Sequence, residues 1–417
     1  MLSHYASRFL TRGSKRLPLP SRLYSSSTSA TIRQHERQLK LALPAATYTL
    51  PYFWLRDHCR CPECYHPQTR QRLADTFTLP RDIRPSKVDC DQSGLHVVWP
   101  DGHKSDYGYD WVSMHGHQEE EAKKVSWQDT LAPTDTLRLW QAKDLKEQPR
   151  PRLTFGEVME SKEGLTKWLH RLEIDGVAFV DDVPTTLEAT EQLARRLCFL
   201  RETHYSKGMW SFTADLAHAD TAYTQLALDA HTDNTYFTEP SGLQMFHKLE
   251  FEGQGGDSLF VDGFAVAKQL KTTNPEAYET LTQTRIPTHS AGDEDVLIVP
   301  TPRSFPIFNH DPQTGDLFQV RYNNNDRSTL NHLPPDALDR FYDALFAWRK
   351  LLTDPANEYW DPLPPGRVVT FDNWRVLHGR SAFTGHRRIC GAYFPWDDYK
   401  SRARTLRLSS AEKDLVL

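Results

Sequence analysis

A chain of 417 residues has room for one large domain and a smaller one. A net charge of −5 argues against a nucleic-acid face, and no run of about 18 apolar residues exists to cross a bilayer. Aromatic residues make up 11% of the chain, so a core rich in rings is expected.

The first 34 residues are rich in Arg, Lys, Ser and Thr, and the first acidic residue is Glu36. That composition is expected of a mitochondrial transit peptide and of a matrix protein, with cleavage soon after Arg22-Leu23-Tyr24. Residues 35–115 read as a small N-terminal β-rich domain. Tyr48, Leu50, Tyr52, Trp54 and Leu55 make a short β-rich apolar stretch. Cys59, Cys61 and Cys64 follow, three thiols within six residues. A reducing compartment disfavours disulfides, so this C-x-C-x-x-C cluster reads as most of a tetrahedral zinc site. His103, after the turn Trp99-Pro100-Asp101-Gly102, is the choice for the fourth ligand, with His58 and His66 as alternatives. Residues 116–152 are charged and Pro-punctuated. They read as a linker with one helical piece, and the run Glu119-Glu120-Glu121 as a solvated face.

The catalytic domain is expected over 153–417. Leu165, Trp168, Leu169 and Leu172 have helical spacing, Gly176–Val180 reads as a buried strand, and Leu187–Leu200 as a helix. Short apolar runs alternate with turn residues from 205 to 262. Asn274–Thr282 and Pro335–Leu352 read as helices, and Arg367–Phe371 as a strand. The fold class is mainly β with helices (α+β). Its catalytic domain is a double-stranded β-helix, or jelly roll, with helices packed outside.

His231 and Asp233 stand two apart, and on an extended segment such residues point to one side. With His378, inside Trp374-Arg375-Val376-Leu377-His378-Gly379-Arg380, they make the two-histidine, one-carboxylate set that suits non-heme Fe(II) and leaves three positions open. Nine positions on, Arg387 offers a planar guanidinium for the far carboxylate of a 2-oxo acid; a strand points only one of Arg387 and Arg388 inward. Tyr205, Trp210, Tyr223 and Tyr393 supply aromatic faces of the kind that attract a quaternary ammonium, although such rings are more often core.

These residues resemble the γ-butyrobetaine and trimethyllysine dioxygenases, Fe(II)- and 2-oxoglutarate-dependent enzymes of carnitine biosynthesis. The motifs that carry the resemblance are Trp54-Leu55-Arg56-Asp57 with the Cys cluster, His231-Thr232-Asp233, Gly255-Gly256 with Val261-Asp262-Gly263-Phe264, Arg321-Tyr322-Asn323-Asn324, and Asp372 to Arg380. The resemblance implies iron on His231, Asp233 and His378, 2-oxoglutarate on Arg387, and structural zinc on Cys59, Cys61, Cys64 and His103. It implies a cage of Trp210, Tyr223 and Tyr393, with Tyr205 one residue out of the family's spacing. Ascorbate as reductant and a homodimer are implied as well. Asp220-Thr221-Ala222-Tyr223 resembles the trimethyllysine branch; the butyrobetaine branch carries Asn where Asp220 stands. A carboxylate there attracts an α-ammonium and repels a bare carboxylate. Asn323 is the candidate for the substrate's α-carboxylate. The expected activity is hydroxylation of trimethyllysine at C3. The alternatives are a γ-butyrobetaine dioxygenase, a zinc hydrolase built on the same triad, and a non-catalytic zinc-dependent binding protein.

Overall fold

A computed structural model of the chain describes residues 30–119, 131, 137–147, 152–213 and 224–416. The transit-peptide reading falls almost wholly on residues outside these. Two compact units are present: Met1–Thr136 together with Leu408–Leu417, and Leu137–Arg407. Among the described residues no helix is long and apolar enough to cross a membrane.

The first unit holds a four-stranded antiparallel sheet of β1 (Thr31–Gln34), β2 (Gln38–Ala42), β3 (Thr47–Pro51) and β7 (His117–Gln118). A three-stranded meander, β4 (Lys87–Cys90), β5 (Leu95–Val98) and β6 (Lys104–Tyr107), completes it. Strict alternation places Leu39, Leu41, Tyr48 and Leu50 in one core with Leu95, Val97 and Trp99. The stretch from Tyr48 to Leu55, expected to be β-rich throughout, changes at Pro51. Tyr52–Asp57 is a short helix. Proline's fixed φ and missing N–H suit a helix entrance, and the six residues after it bury Tyr52 and Leu55 on one side.

The stretch read as a linker, 116–152, is partly built into both units. His117–Gln118 pairs with β3, while Trp140 is buried among Phe260, Phe371 and Leu363. The expected helical piece is Ala142–Glu147. At the other end, Ser410–Val416 is a helix of the first unit, where the His115 ring bonds the carbonyl of Leu415.

The second unit is built on two sheets. The larger runs β10 (Met209–Phe212), β21 (Phe383–Phe394), β12 (Leu243–Gly255), β19 (Val368–Asp372), β9 (Val177–Asp181), β8 (Leu153–Thr154). The smaller runs β11 (Leu228–His231), β20 (Val376–Arg380), β13 (Ser258–Asp262), β18 (Tyr359–Asp361). Apart from the parallel β8–β9 pair, every pairing in these two sheets is antiparallel. Two short hairpins, β14 (Ile286–Pro287) with β15 (Ser304–Phe305) and β16 (Phe308–His310) with β17 (Leu317–Val320), lie between β13 and β18 in sequence.

Both faces of each sheet are covered. Helices Lys162–Asp175 and Leu187–Leu197 pack on the larger sheet through Leu165, Trp168, Leu172 and Leu193. Gly263–Thr273, Pro275–Gln283 and Pro335–Leu352 pack on the smaller through Val266, Leu281 and Trp348. Between the sheets lie Val177, Phe260, Val369, Phe371 and Val376. Strand β19 shows the consequence in sequence. Val368 faces the helices while Val369 and Phe371 face the other sheet, so the strand reads as an unbroken apolar run.

Candidate functional site

The site forms where β11 and β20 pair. Their register sets His231 opposite His378, which places both imidazoles on one face, with ring centroids 4.3 Å apart. The chain then turns sharply at Asn234, whose φ of 56° is tolerated because asparagine enters the left-handed region more readily than most residues. Asn234 is buried, and its side-chain oxygen accepts the Ser241 hydroxyl at 2.6 Å. The turn carries Asp233 back to the two histidines. Its Oδ1 lies 3.3 Å from His231 Nε2 and 3.8 Å from His378 Nε2. Ligands about 2.1 Å from one ion and at right angles lie about 3 Å apart, so the three atoms match one face of an octahedron, slightly opened.

The second oxygen of Asp233 is held away from that face. It accepts the Tyr393 hydroxyl at 2.7 Å and the Gln244 amide at 2.6 Å. The Asp233 main-chain N–H donates to Asn373 Oδ1 at 2.8 Å. His231 is oriented likewise: its Nδ1–H donates to the Asp229 carbonyl at 2.7 Å, which turns Nε2 toward Asp233. His378 packs its ring against Phe371 and Phe246, at 4.9 and 5.3 Å. Burial, with the His231 charge beside it, pushes the His378 imidazole down to about 3, so it is neutral and able to ligate. Burial disfavours a charged His231 too, but the Asp233 carboxylate outweighs this and raises the imidazole to about 9. Burial also works against ionisation of Asp233. The two histidines overcome it and hold the carboxyl well below the usual carboxylate range. A carboxylate that stays ionised in a dry pocket between two imidazoles is a donor set for a cation.

One cavity of about 140 Å³ opens on this cluster, roughly ten times the space one water needs. Strand parity decides which side chains enter it. On β21, Arg387, Ile389 and Tyr393 share a face and line the cavity; Arg388 points the other way, to Glu250 at 3.1 Å. Arg387 is buried, and its Nε has no hydrogen-bond partner. Burial and the neighbouring Arg380 push its guanidinium down to about 9. No acid among the described residues pairs with it, so the site offers a buried positive charge to an anionic ligand.

The aromatic wall is Trp210, Phe212, Phe246 and Tyr393. Trp210 lies across Gly391, its register partner, where a Cβ would meet the indole at 2.4 Å. Its ring is 6.2 Å from that of Tyr393. Tyr205 also lines the cavity, its hydroxyl 2.9 Å from that of Tyr236. Asn323 lines it from the turn after β17. Asp220 and Tyr223 lie outside the described residues.

Sequence reasoning missed Gln244, Asn373, Tyr236 and Asp326, all of which hold or line the site. Gln244 had a signal: a lone polar residue inside Leu243-Gln244-Met245-Phe246, two from Phe246 on the inward face. Asn373 had one too, beside Asp372 at a strand end.

The second cluster belongs to the first unit. The helix from Tyr52 ends into Cys59, Cys61 and Cys64, and the tight turn between β5 and β6 delivers His103. The His103 Nε2 lies 3.3, 3.5 and 3.5 Å from the three sulfurs. Zinc–sulfur bonds of about 2.3 Å and zinc–nitrogen bonds of about 2.0 Å at the tetrahedral angle separate S and N by about 3.5 Å. His58 instead turns its Nδ1 to the Trp54 carbonyl at 2.8 Å, and the His66 Nδ1 caps the turn at Gln68 and Thr69. Burial pushes the Cys59 thiol up to about 12. Arg56, itself buried, donates to Cys64 Sγ at 3.4 Å.

Two family models match the chain. Residues 141–393 match the taurine catabolism dioxygenase TauD, TfdA family, and residues 30–113 match the gamma-butyrobetaine hydroxylase-like N-terminal domain. The rat protein "Trimethyllysine dioxygenase, mitochondrial" is 41% identical over 384 residues, covering 92% of this chain and 89% of the relative. The "Trimethyllysine dioxygenase" of Meyerozyma guilliermondii is 41% identical over 364 residues, covering 85% and 90%. The human "Gamma-butyrobetaine dioxygenase" is 30% identical over 361 residues, covering 86% and 91%.

Proposed function

The chain belongs to the trimethyllysine dioxygenase family of Fe(II)- and 2-oxoglutarate-dependent oxygenases, and on that premise we propose that it hydroxylates N6,N6,N6-trimethyllysine at C3, the first step of carnitine biosynthesis. The observation that carries the reading is Arg387, a buried cation without an acid partner among the described residues, in the cavity that holds the His231–Asp233–His378 face.

His231, Asp233 and His378 hold the iron, and Arg387 takes the far carboxylate of 2-oxoglutarate. Bound iron supplies the redox chemistry that splits dioxygen as 2-oxoglutarate loses carbon dioxide. One oxygen atom ends in succinate and the other in the C3 hydroxyl, replacing one hydrogen. The chain's own work is placement. Tyr393 and Gln244 keep Asp233 to a single ligating oxygen, and the rings of Phe246 and Phe371 keep water from the His378 side. Trp210, Tyr393, Tyr205 and Tyr223 take the trimethylammonium group, Asp220 the α-ammonium and Asn323 the α-carboxylate. Holding both ends of a flexible substrate puts C3 beside the metal. In the first unit, Cys59, Cys61, Cys64 and His103 hold a structural zinc with no open position. Ascorbate as reductant, a homodimer and a matrix location behind a transit peptide complete the proposal. The location is supported by the relatives named mitochondrial and by the composition of the first 34 residues.

The test is turnover. Purified protein is loaded with Fe(II) and 2-oxoglutarate under nitrogen, then given oxygen with trimethyllysine or γ-butyrobetaine. Succinate and hydroxytrimethyllysine are expected from the first. Turnover of γ-butyrobetaine alone refutes the choice of substrate. Asp233→Ala is expected to abolish succinate formation, and retained activity refutes the triad.

A further inference from the structure

The described rings of the proposed cage are placed in two different ways. Trp210 and Tyr393 stand on β10 and β21, where strand register fixes them. Tyr205 stands on the loop before β10. There Thr203 and Ser206 exchange main-chain hydrogen bonds at 3.0 and 3.2 Å, which puts His204 and Tyr205 at the tip of a tight turn. The connection on to Trp210, one residue longer than the resemblance implies, passes through Gly208 at φ 129°, a backbone that favours glycine. The Tyr205 ring packs on the Trp210–Ile389–Tyr393 cluster and beside the His204 ring at 3.9 Å. Its hydroxyl shares a hydrogen bond with that of Tyr236 at 2.9 Å.

Tyr236 is placed far more firmly than the loop it meets. It is buried and lines the same cavity. The Asn234 carbonyl accepts the Phe237 N–H at 2.8 Å, closing a turn around it. The buried Arg321 guanidinium takes the carbonyls on either side of it: Nε donates to Thr235 at 2.9 Å, and Nη2 to both Thr235 and Phe237. The Thr288 hydroxyl is a further donor to the Thr235 carbonyl, at 2.9 Å. Burial raises the Tyr236 phenol above its usual value, so it keeps its proton. Tyr236 follows Asp233 by three residues, within the segment that carries the metal-facing carboxylate. Tyr393 is tied to the same segment, its hydroxyl donating to Asp233 Oδ2 at 2.7 Å. Two rings of the aromatic wall are thus referenced to the metal motif through their hydroxyls.

We propose that Tyr236 is a positioning residue for the quaternary ammonium group, holding the loop-borne Tyr205 as a wall of the cage at a set distance from the metal face. That distance decides which carbon of the substrate chain lies beside the metal, because the ammonium is one of the two ends the site holds. The inference rests on the trimethyllysine reading. It concerns only the ammonium end, so γ-butyrobetaine probes it too.

Calorimetry on full-length protein loaded with Mn(II) and 2-oxoglutarate tests it. Tyr236→Phe removes one hydroxyl and keeps the ring. It is expected to weaken trimethyllysine about three- to tenfold, and γ-butyrobetaine by the same factor where the wild type binds it, because an untethered Tyr205 has to be ordered as the ligand binds. Affinities for Mn(II) and 2-oxoglutarate are expected to stay in place. In a Tyr205→Phe background, where the bond is already gone, adding Tyr236→Phe is expected to cost nothing further. Tyr205→Phe alone must weaken trimethyllysine as well, and it carries the test if Tyr236→Phe fails to fold. Unchanged affinity for trimethyllysine overturns the inference. So do losses that multiply in the double variant, and so does an equal loss for 2-oxoglutarate, which is what a general disturbance of the site produces. If the wild type binds neither betaine and turns over neither, the functional proposal falls and takes this one with it. If trimethyllysine is hydroxylated and Tyr236→Phe binds it as tightly as the wild type does, only this inference falls.

Discussion

At the scale of single residues, the site depends on how Asp233 is held. A free carboxylate beside an ion chooses between one and two ligating oxygens. Here Oδ2 already has two donors, Tyr393 and Gln244, and only Oδ1 faces the histidines. Tyr393 thus has two parts, its ring in the aromatic wall and its hydroxyl on the ligand. Tyr393→Phe separates them. The ring stays, while one of the two bonds to Oδ2 goes. Metal affinity is expected to fall about tenfold, in line with the loss of other contacts behind metal ligands. A Mn(II) titration followed by electron paramagnetic resonance reads this directly. Equal affinities in the two proteins would show that Gln244 alone suffices.

At the scale of elements, parity and register explain what was readable. The helices Lys162–Asp175, Leu187–Leu197 and Pro335–Leu352 were legible because 3.6-residue periodicity and capping are local; Ser161 and Thr186 each accept an N–H of the first turn. That only one of Arg387 and Arg388 points inward was legible because alternation along one strand is local too; which of the two it is depends on how β21 sits against β10 and β12. The role of Gln244 was not, since it depends on β12 lying between β19 and β21, a pairing of segments more than 100 residues apart. Asp326 was hidden for another reason: it lines the cavity because the turn after β17 runs beside the metal motif, where the Thr235 hydroxyl donates to it across 91 residues of sequence. Register also makes a prediction at Gly391. A Cβ there would sit 2.0 Å from the Met245 carbonyl and 2.4 Å from the Trp210 indole, neither of which is the loose end of a flexible chain. Gly391→Ala is expected to cost about 1–3 kcal/mol or more, as overpacking of a well-filled core does, and to displace Trp210. Thermal unfolding measures the cost. Weakened binding of a quaternary ammonium ligand, with Mn(II) affinity intact, would locate the damage at the aromatic wall and not at the metal face.

At the scale of the molecule, the two units are stabilised differently. The second unit has apolar layers outside and between its sheets. The first has one core, and beside it three thiols and an imidazole crowded within 4.8 Å. Burial raises the Cys59 and Cys64 thiols, so without a cation the cluster resists the thiolate form that a metal needs. A divalent ion reverses that preference, and its binding energy becomes folding energy for the segments it joins. Those segments are the Tyr52–Asp57 helix with its Cys-bearing extension, and the β5–β6 hairpin with His103. Tyr107 on β6 also bonds the Leu55 carbonyl, and Arg56 pairs with Asp101 in the β5–β6 turn at 3.8 Å, so the hairpin and the helix keep direct ties when the metal is gone. Chelation at neutral pH is therefore expected to loosen the first unit without unfolding it outright, because Leu39, Leu41, Leu50 and Val97 remain packed. Hydrogen exchange followed by mass spectrometry should show amides of 52–64 and 95–107 losing protection, while those of 368–394 keep theirs. The chelator also removes iron, so Cys61→Ser with Fe(II) present serves as the control, and it should give the same pattern. Exchange in 52–64 and 95–107 that is indifferent to both treatments would mean that the apolar core holds this unit without help from a metal.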